Sequence, residues 1–369
     1  MSEEIIETKP QAELPIEPIE PTEPSSLLPG FKSMCFRIGV MMIIVFAARI
    51  IVNIISALIV PYLSGLSLTP TAAYLIDAAV SVVFLYIIPI TAAVFLLKRP
   101  MKNRVKQIYA KPKYFGRAMA MFPAGYGIAI TCNLLTQLLG LLFRNTALGD
   151  SFTGIQETLA APDVGSAVVL FIQLTVLAPI FEEFWCRGLI IESLRPYGNG
   201  FAIFVSALLF GIIHANFAQF FYAFALGIFL GYIYVSTQSL VTTTVMHAMF
   251  NSISGMMILL GSIPSVQEYL LAAADGGEPV VTPAAVLYIV WMAMTVLLLV
   301  VGIIMAIYKF TKIKKYRVPK VQTELSTVRR WGIFLSRISV IVMLLLAADT
   351  FAAQWIPRFF VKLVTGSWD

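Results

Sequence analysis

Nine stretches of roughly 20 apolar residues constrain this chain more than anything else in it, because that is the length of helix that crosses the hydrocarbon of a bilayer. They lie at about 38–60, 74–97, 118–143, 166–190, 201–217, 219–236, 239–262, 284–308 and 332–352. In lipid every backbone N–H and C=O must be satisfied internally, which leaves helices and closed barrels. Runs this long read as helices. The expected fold is therefore all-α: a polytopic transmembrane helix bundle of eight to nine spans.

The charges fit that fold. Of the 369 residues 59% are hydrophobic and 12% charged, against about 25% charged in a soluble domain. Eight Lys or Arg fall between Lys98 and Arg117, and eight more between Lys309 and Arg330. Short loops so basic stay cytoplasmic, and the six spans between them are the even number that two loops on one side require. The acidic connection around Glu268, Asp275 and Glu278 then falls outside, and the N-terminus is cytoplasmic. Arg358 and Lys362 fit an outside C-terminus poorly, which argues against a ninth crossing.

The net charge of +6 thus reports topology, and nucleic acid is excluded as a partner. Cys35, Cys132 and Cys186 have neither disulfide nor metal spacing and read as small buried hydrophobes. Residues 1–30, with six Pro and with seven Glu in the first 23, read as a disordered acidic cytoplasmic tail, not a signal peptide. Behind the tail the expected organisation is N-terminal spans and a basic loop (31–117), a core (118–262) and C-terminal spans (263–369). Two small-residue repeats, Ala207/Gly211/Ala215 and Ala223/Gly227/Gly231, predict close packing of adjacent helices.

Against this apolar background a few ionisable groups stand out. The chain has two histidines, in Phe210-x-x-x-His214 and His247-x-x-x-Asn251, and a third apolar segment carries Glu182-Glu183-x-x-x-Arg187. Such groups are costly in hydrocarbon and by default mark a functional site. At 1.5 Å per residue Glu182, His247 and His214 lie roughly 12, 12–15 and 20 Å from the cytoplasmic ends of their spans. That shared depth predicts one buried site, within the membrane and open to the cytoplasm. Each residue alone also has an ordinary reading: a packing histidine, a snorkelling Arg187 paired with Glu183, an Asn251 bridging two helices. Arg49 and Asp77, in the first two spans, make a candidate interhelical pair.

Glu182 and Glu183 point about 100° apart on a helix, so they cannot share one target. Glu183 can pair with Arg187 one turn on. That leaves Glu182 to activate water as a general base, with His214 sharing the water. His247 and Asn251 on one helical face offer donors for an oxyanion hole. No Ser or Cys nearby has a paired base, so covalent catalysis is not expected. Glu182, His214 and His247 would equally make a His₂Glu zinc set, although no His-Glu-x-x-His occurs. A metal-free site and a zinc site both remain open on these residues.

The three motifs, in this order on successive membrane helices, resemble the CPBP family, which comprises type II CAAX prenyl proteases, bacteriocin-processing enzymes and Abi-like relatives. The resemblance covers roughly residues 120–262. It implies an intramembrane endopeptidase acting on a membrane-associated or lipidated peptide in a multi-pass cell-membrane protein, of bacterial type. By position, Glu182 would activate water with His214 assisting, His247 and Asn251 would form the oxyanion hole, and Glu183, Arg187 and Phe210 would support them. The family's labels include metalloprotease and glutamate protease, so zinc stays possible as a cofactor. The competing classes are a transporter, for which the inverted repeats are missing, and a noncatalytic bacteriocin-immunity protein or membrane scaffold.

Overall fold

Helix starts in this chain are written in short polar side chains. Thr69, Asp163, Asn216, Ser239, Thr282 and Ser326 each accept a hydrogen bond from a backbone N–H two or three residues into the following helix, the usual N-cap arrangement. Asp163 also accepts from the Thr71 hydroxyl at 2.8 Å, tying two helix starts together. Hydrogen bonds from Ser166, and then from Thr71, hold its carboxyl below the usual range.

The computed structural model describes residues 24–352, apart from residue 67 and parts of the loops 102–113, 145–160 and 313–324. These residues form α1 (Pro24–Ser64), α2 (Pro70–Leu97), α3 (Phe115–Leu142), α4 (Val164–Tyr197), α5 (Asn199–Ile213), α6 (Phe217–Thr237) and α7 (Leu240–Gly261). After them come α8 (Pro264–Ala274), α9 (Pro283–Thr311), α10 (Thr327–Leu335) and α11 (Ile338–Ala352). No strand occurs among the described residues. Among the described residues seven helices are long and apolar enough to span a membrane, and an eighth span is counted if the α10–α11 pair is one. The all-α polytopic bundle is as expected. α9 turns Leu297, Ile304 and Ile307 outward, as a lipid-facing helix does.

Three expectations need correcting. The acidic tail lies mostly outside the described residues, and helix α1 begins at Pro24, inside the stretch 1–30 read as disordered. The segment 332–352 does not run as one helix: α10 and α11 meet at a 73° bend, and Arg358 and Lys362 fall outside the described residues. The segment 201–217 holds the 15-residue α5. That helix is about 22 Å long, short of the roughly 30 Å of a bilayer core. It stops at Ile213 because Ala215 turns left-handed (φ 55°) and Asn216 caps the next helix.

The small-residue repeats pack as predicted. A Cβ on Gly227 would lie 2.8 Å from the Ala207 Cα, so α5 and α6 touch backbone to backbone. An equally close approach joins α3 to α9, where a Cβ on Gly127 would meet the Gly302 carbonyl carbon at 2.3 Å.

Two of the intramembrane prolines follow π turns, at Val83–Ile87 before Pro89 and Gln173–Leu177 before Pro179. Pro123 stands in the first turn of the stretch Phe122–Leu142, directly after the helix is interrupted at residues 120–121. In the second π turn the Ala178 N–H bonds Gln173, and Pro179 has no N–H to give. The Leu174 carbonyl is therefore left without a donor on its own helix.

Candidate active site

Glu182 and Glu183 end the short α-helical stretch Ala178–Glu183 of α4, and a further π turn, Phe184–Ile191, follows. π turns concentrate at functional sites because they re-aim side chains. Glu183 is fully buried. Its Oε1 accepts from Arg187 Nη1 at 2.8 Å and from His247 Nδ1 at 2.9 Å. Arg187 is equally buried, donates through Nη2 to the Gly227 carbonyl at 3.2 Å, and lies 5.2 Å over the Phe210 ring. The Glu183–Arg187 pair is where the i,i+4 spacing put it. His247, brought from α7, completes an Arg–Glu–His chain that spacing alone did not reveal.

The His247 ring is wedged between the two glutamates. Its Nε2 is 3.7 Å from Glu182 Oε2, with the histidine side chain 2% exposed and the glutamate 15%. A carboxylate only accepts, so the bond to Glu183 assigns the Nδ1 proton. Nε2 is then the atom that faces Glu182 and the cavity.

His214 caps α5, and its Nδ1 bonds the Phe210 carbonyl at 2.7 Å. A carbonyl cannot donate, so this ring too is protonated at Nδ1 and keeps Nε2 for the cavity. Among the described residues His214 forms no ion pair with either glutamate. It meets Glu182 only as another wall of the same cavity. Phe210 stands edge-on to both imidazoles, with centroids 5.0 and 5.7 Å away. It is a shared spacer between them.

Asn251 donates through Nδ2 to the Leu174 carbonyl at 2.8 Å, the acceptor freed by the π turn and Pro179. This bond fixes the amide and leaves its second N–H for the cavity. The cavity itself has a volume of about 510 Å³ and is lined mostly by apolar side chains, with Glu182, His214, His247 and Asn251 all in its wall. A mostly apolar chamber with a few convergent polar groups is the form that small-ligand and active sites take.

Two more residues line the cavity: Arg49, expected from the sequence to pair with Asp77, and Tyr86, which the sequence reading missed. Arg49 donates to the Ile213 carbonyl at 3.0 Å, while Asp77 accepts from Ser56, so the expected Arg49–Asp77 pair does not form. Tyr86, on the first π turn, stacks on Phe181 (5.1 Å, 16°) with its hydroxyl beside Glu182. A Pro two or three residues after an aromatic in an apolar span was the available signal for Tyr86. Arg49 had none beyond being charged in a span. Among the described residues no three His, Cys, Asp or Glu side chains are grouped to hold a metal ion. The zinc set weighed from the sequence is not gathered in this arrangement.

The fold and this site define a multi-pass membrane protein with a carboxylate–histidine cavity inside its helix bundle. Residues 164–253, which contain all three motifs, match the family described as Type II CAAX prenyl endopeptidase Rce1-like. Among curated proteins, "Putative membrane peptidase YdiL" of Bacillus subtilis (strain 168) is 29% identical over 117 residues, 31% of this chain. The chain spans about half (46%) of that relative's length. No solved structure matches significantly. The comparisons bear out the resemblance to the CPBP family.

Proposed function

We propose that this chain is an intramembrane endopeptidase that hydrolyses a peptide bond of a membrane-associated or lipidated substrate with an activated water and no covalent intermediate. The reading rests above all on Glu183, whose one oxygen holds both Arg187 and His247 in a fully buried chain beside Glu182. So much buried charge is expensive unless it is used.

The roles follow from which atoms donate and which accept. Glu182 accepts one proton of a water, and the His214 Nε2 lone pair accepts the other hydrogen bond and aims the oxygen at the scissile carbonyl. The O–H bond breaks as the C–O bond forms, the proton moves to Glu182, and charge develops on the carbonyl oxygen. Asn251 offers its spare N–H there. His247, with Nδ1–H committed to Glu183, can donate from Nε2 only as an imidazolium. Glu183 and Glu182 balance that charge against Arg187, and protonation of Glu182 turns the imidazolium towards the new oxyanion. The Glu182 proton then passes to the leaving amine, and the C–N bond breaks. We place the protein in a bacterial cell membrane with the N-terminus and the site's opening on the cytoplasmic side, following the basic loops.

Asn251→Ala removes an oxyanion donor and also strands the Leu174 carbonyl. Cleavage should fall about 10²–10³-fold, measured on peptides identified by comparing membrane N-termini from cells making wild type and Glu182→Gln. Wild-type turnover in the Asn251 variant would remove it from the mechanism. The metal-free reading is tested separately: activity should persist after exhaustive chelation, with no zinc in elemental analysis. Loss on chelation and recovery with Zn²⁺ would replace the glutamate mechanism with a metal-dependent one.

A further inference from the structure

We infer that Arg49, from α1 and far outside the matched residues 164–253, is a positioning residue that holds His214 in its working orientation. The inference rests on the reading of His214 as the acceptor that aims the water.

The argument starts with the end of α5. A helix leaves its last carbonyls without intrahelical donors, and at this depth there is no bulk water to satisfy them. Here each is accounted for. The Phe210 carbonyl takes the His214 ring N–H, Gly211 takes the His214 backbone N–H, and Ile212 takes that of Ala215. The His214 carbonyl takes the Asn216 side chain. That leaves Ile213, and its donor comes from 164 residues away: Arg49 Nη1 at 3.0 Å.

The turn needs such a donor. Ala215 is left-handed at φ 55°, a conformation that is unfavourable for a non-glycine residue and persists only where the surroundings impose it. A cation at a helix C-terminus is also favoured by the helix dipole. Arg49 therefore sits on the peptide unit that joins Ile213 to His214, and any slackening there rotates the imidazole directly. Among the described residues the Ile213 carbonyl is Arg49's one hydrogen-bond partner, and it has no carboxylate. A guanidinium kept half-buried in a span for one carbonyl is otherwise hard to account for.

The two histidines make this testable without substrate. Full-length protein labelled with ¹⁵N-histidine, purified through a histidine-free tag into nanodiscs, gives two imidazole signals, assigned by His214→Gln and His247→Gln. Wild type should show His214 as the neutral Nδ1–H tautomer and a proton on Nδ1 of His247. Arg49→Met, similar in length but without a donor, should shift or broaden the His214 signals towards mixed tautomers and leave those of His247 in place. Cleavage of the Glu182-dependent peptides should lose about 100-fold in kcat with KM unchanged, the scale of a misplacement of about 1 Å. Arg49→Lys, which keeps a donor, should restore most of both.

If Arg49→Met does not accumulate, Arg49→Gln is measured against Arg49→Lys. An unchanged His214 spectrum would overturn the inference. So would a spectrum in which both histidines change together, which would mark Arg49 as a support of the whole bundle. Because the spectrum is read without turnover, an altered His214 in a protein that cleaves nothing would count against the protease reading and not against this one.

Discussion

Glu182→Gln should reduce peptide cleavage about 10²–10⁴-fold, the share a positioned general base supplies, with the protein still folded and inserted. The substitution is close to isosteric and keeps an oxygen acceptor in the cavity wall, so water can still bind. What it removes is the capacity to take a proton and later return it to the leaving amine. It also takes from His247 Nε2 the anion that lies 3.7 Å away, unbalancing the charge of the site. The measurement is the initial rate on Glu182-dependent peptides at matched protein levels, with thermal unfolding as the control for folding. Turnover like wild type would sink the mechanism. A noncatalytic scaffold would show instead as full biological activity in the same variant.

The second large effect is on stability. Glu183→Leu leaves the fully buried Arg187 guanidinium without its carboxylate, and Arg187→Met leaves the Glu183 carboxylate without its guanidinium. Removing one partner of such a pair costs about 3–5 kcal/mol, whereas replacing both by apolar groups of similar size is often neutral. Each single variant should therefore unfold at markedly lower temperature or fail to accumulate, and Glu183→Leu/Arg187→Met should recover much of the loss. The recovered double variant should still be inactive, because His247 Nδ1 has lost its acceptor and nothing sets the direction of Nε2. Thermal unfolding of the four proteins in nanodiscs closes the cycle. Additive single costs would show that the pair acts as two independent residues. Activity in the double variant would show that His247 needs no second carboxylate.

The site was legible in the sequence to the extent that local spacing carries it. The i,i+4 separation of Glu183 and Arg187 gave a true contact, and the small residues of α5 and α6 gave a true close packing. The same logic misjudged α5, because hydropathy runs smoothly through residues 201–217 while a left-handed Ala215 and a capping Asn216 end the helix at Ile213. That early stop sets His214 on a turn inside the bundle. It also leaves the carbonyl that Arg49 takes.

By itself, then, the sequence determined the solvent, the helical class and which buried ionisable groups were candidates for a site, since apolar length and the expense of buried charge act residue by residue. Only the tertiary structure decided who touches whom. His247 joined Glu183 through Nδ1, Asn251 found the Leu174 carbonyl that a π turn and Pro179 release, and Arg49 left Asp77 for the end of α5. The Asn251 and Arg49 bonds each satisfy a backbone carbonyl stranded by an irregularity or an early end in another helix. In lipid no water can substitute, so the partner had to come from wherever packing brought a donor or an acceptor near.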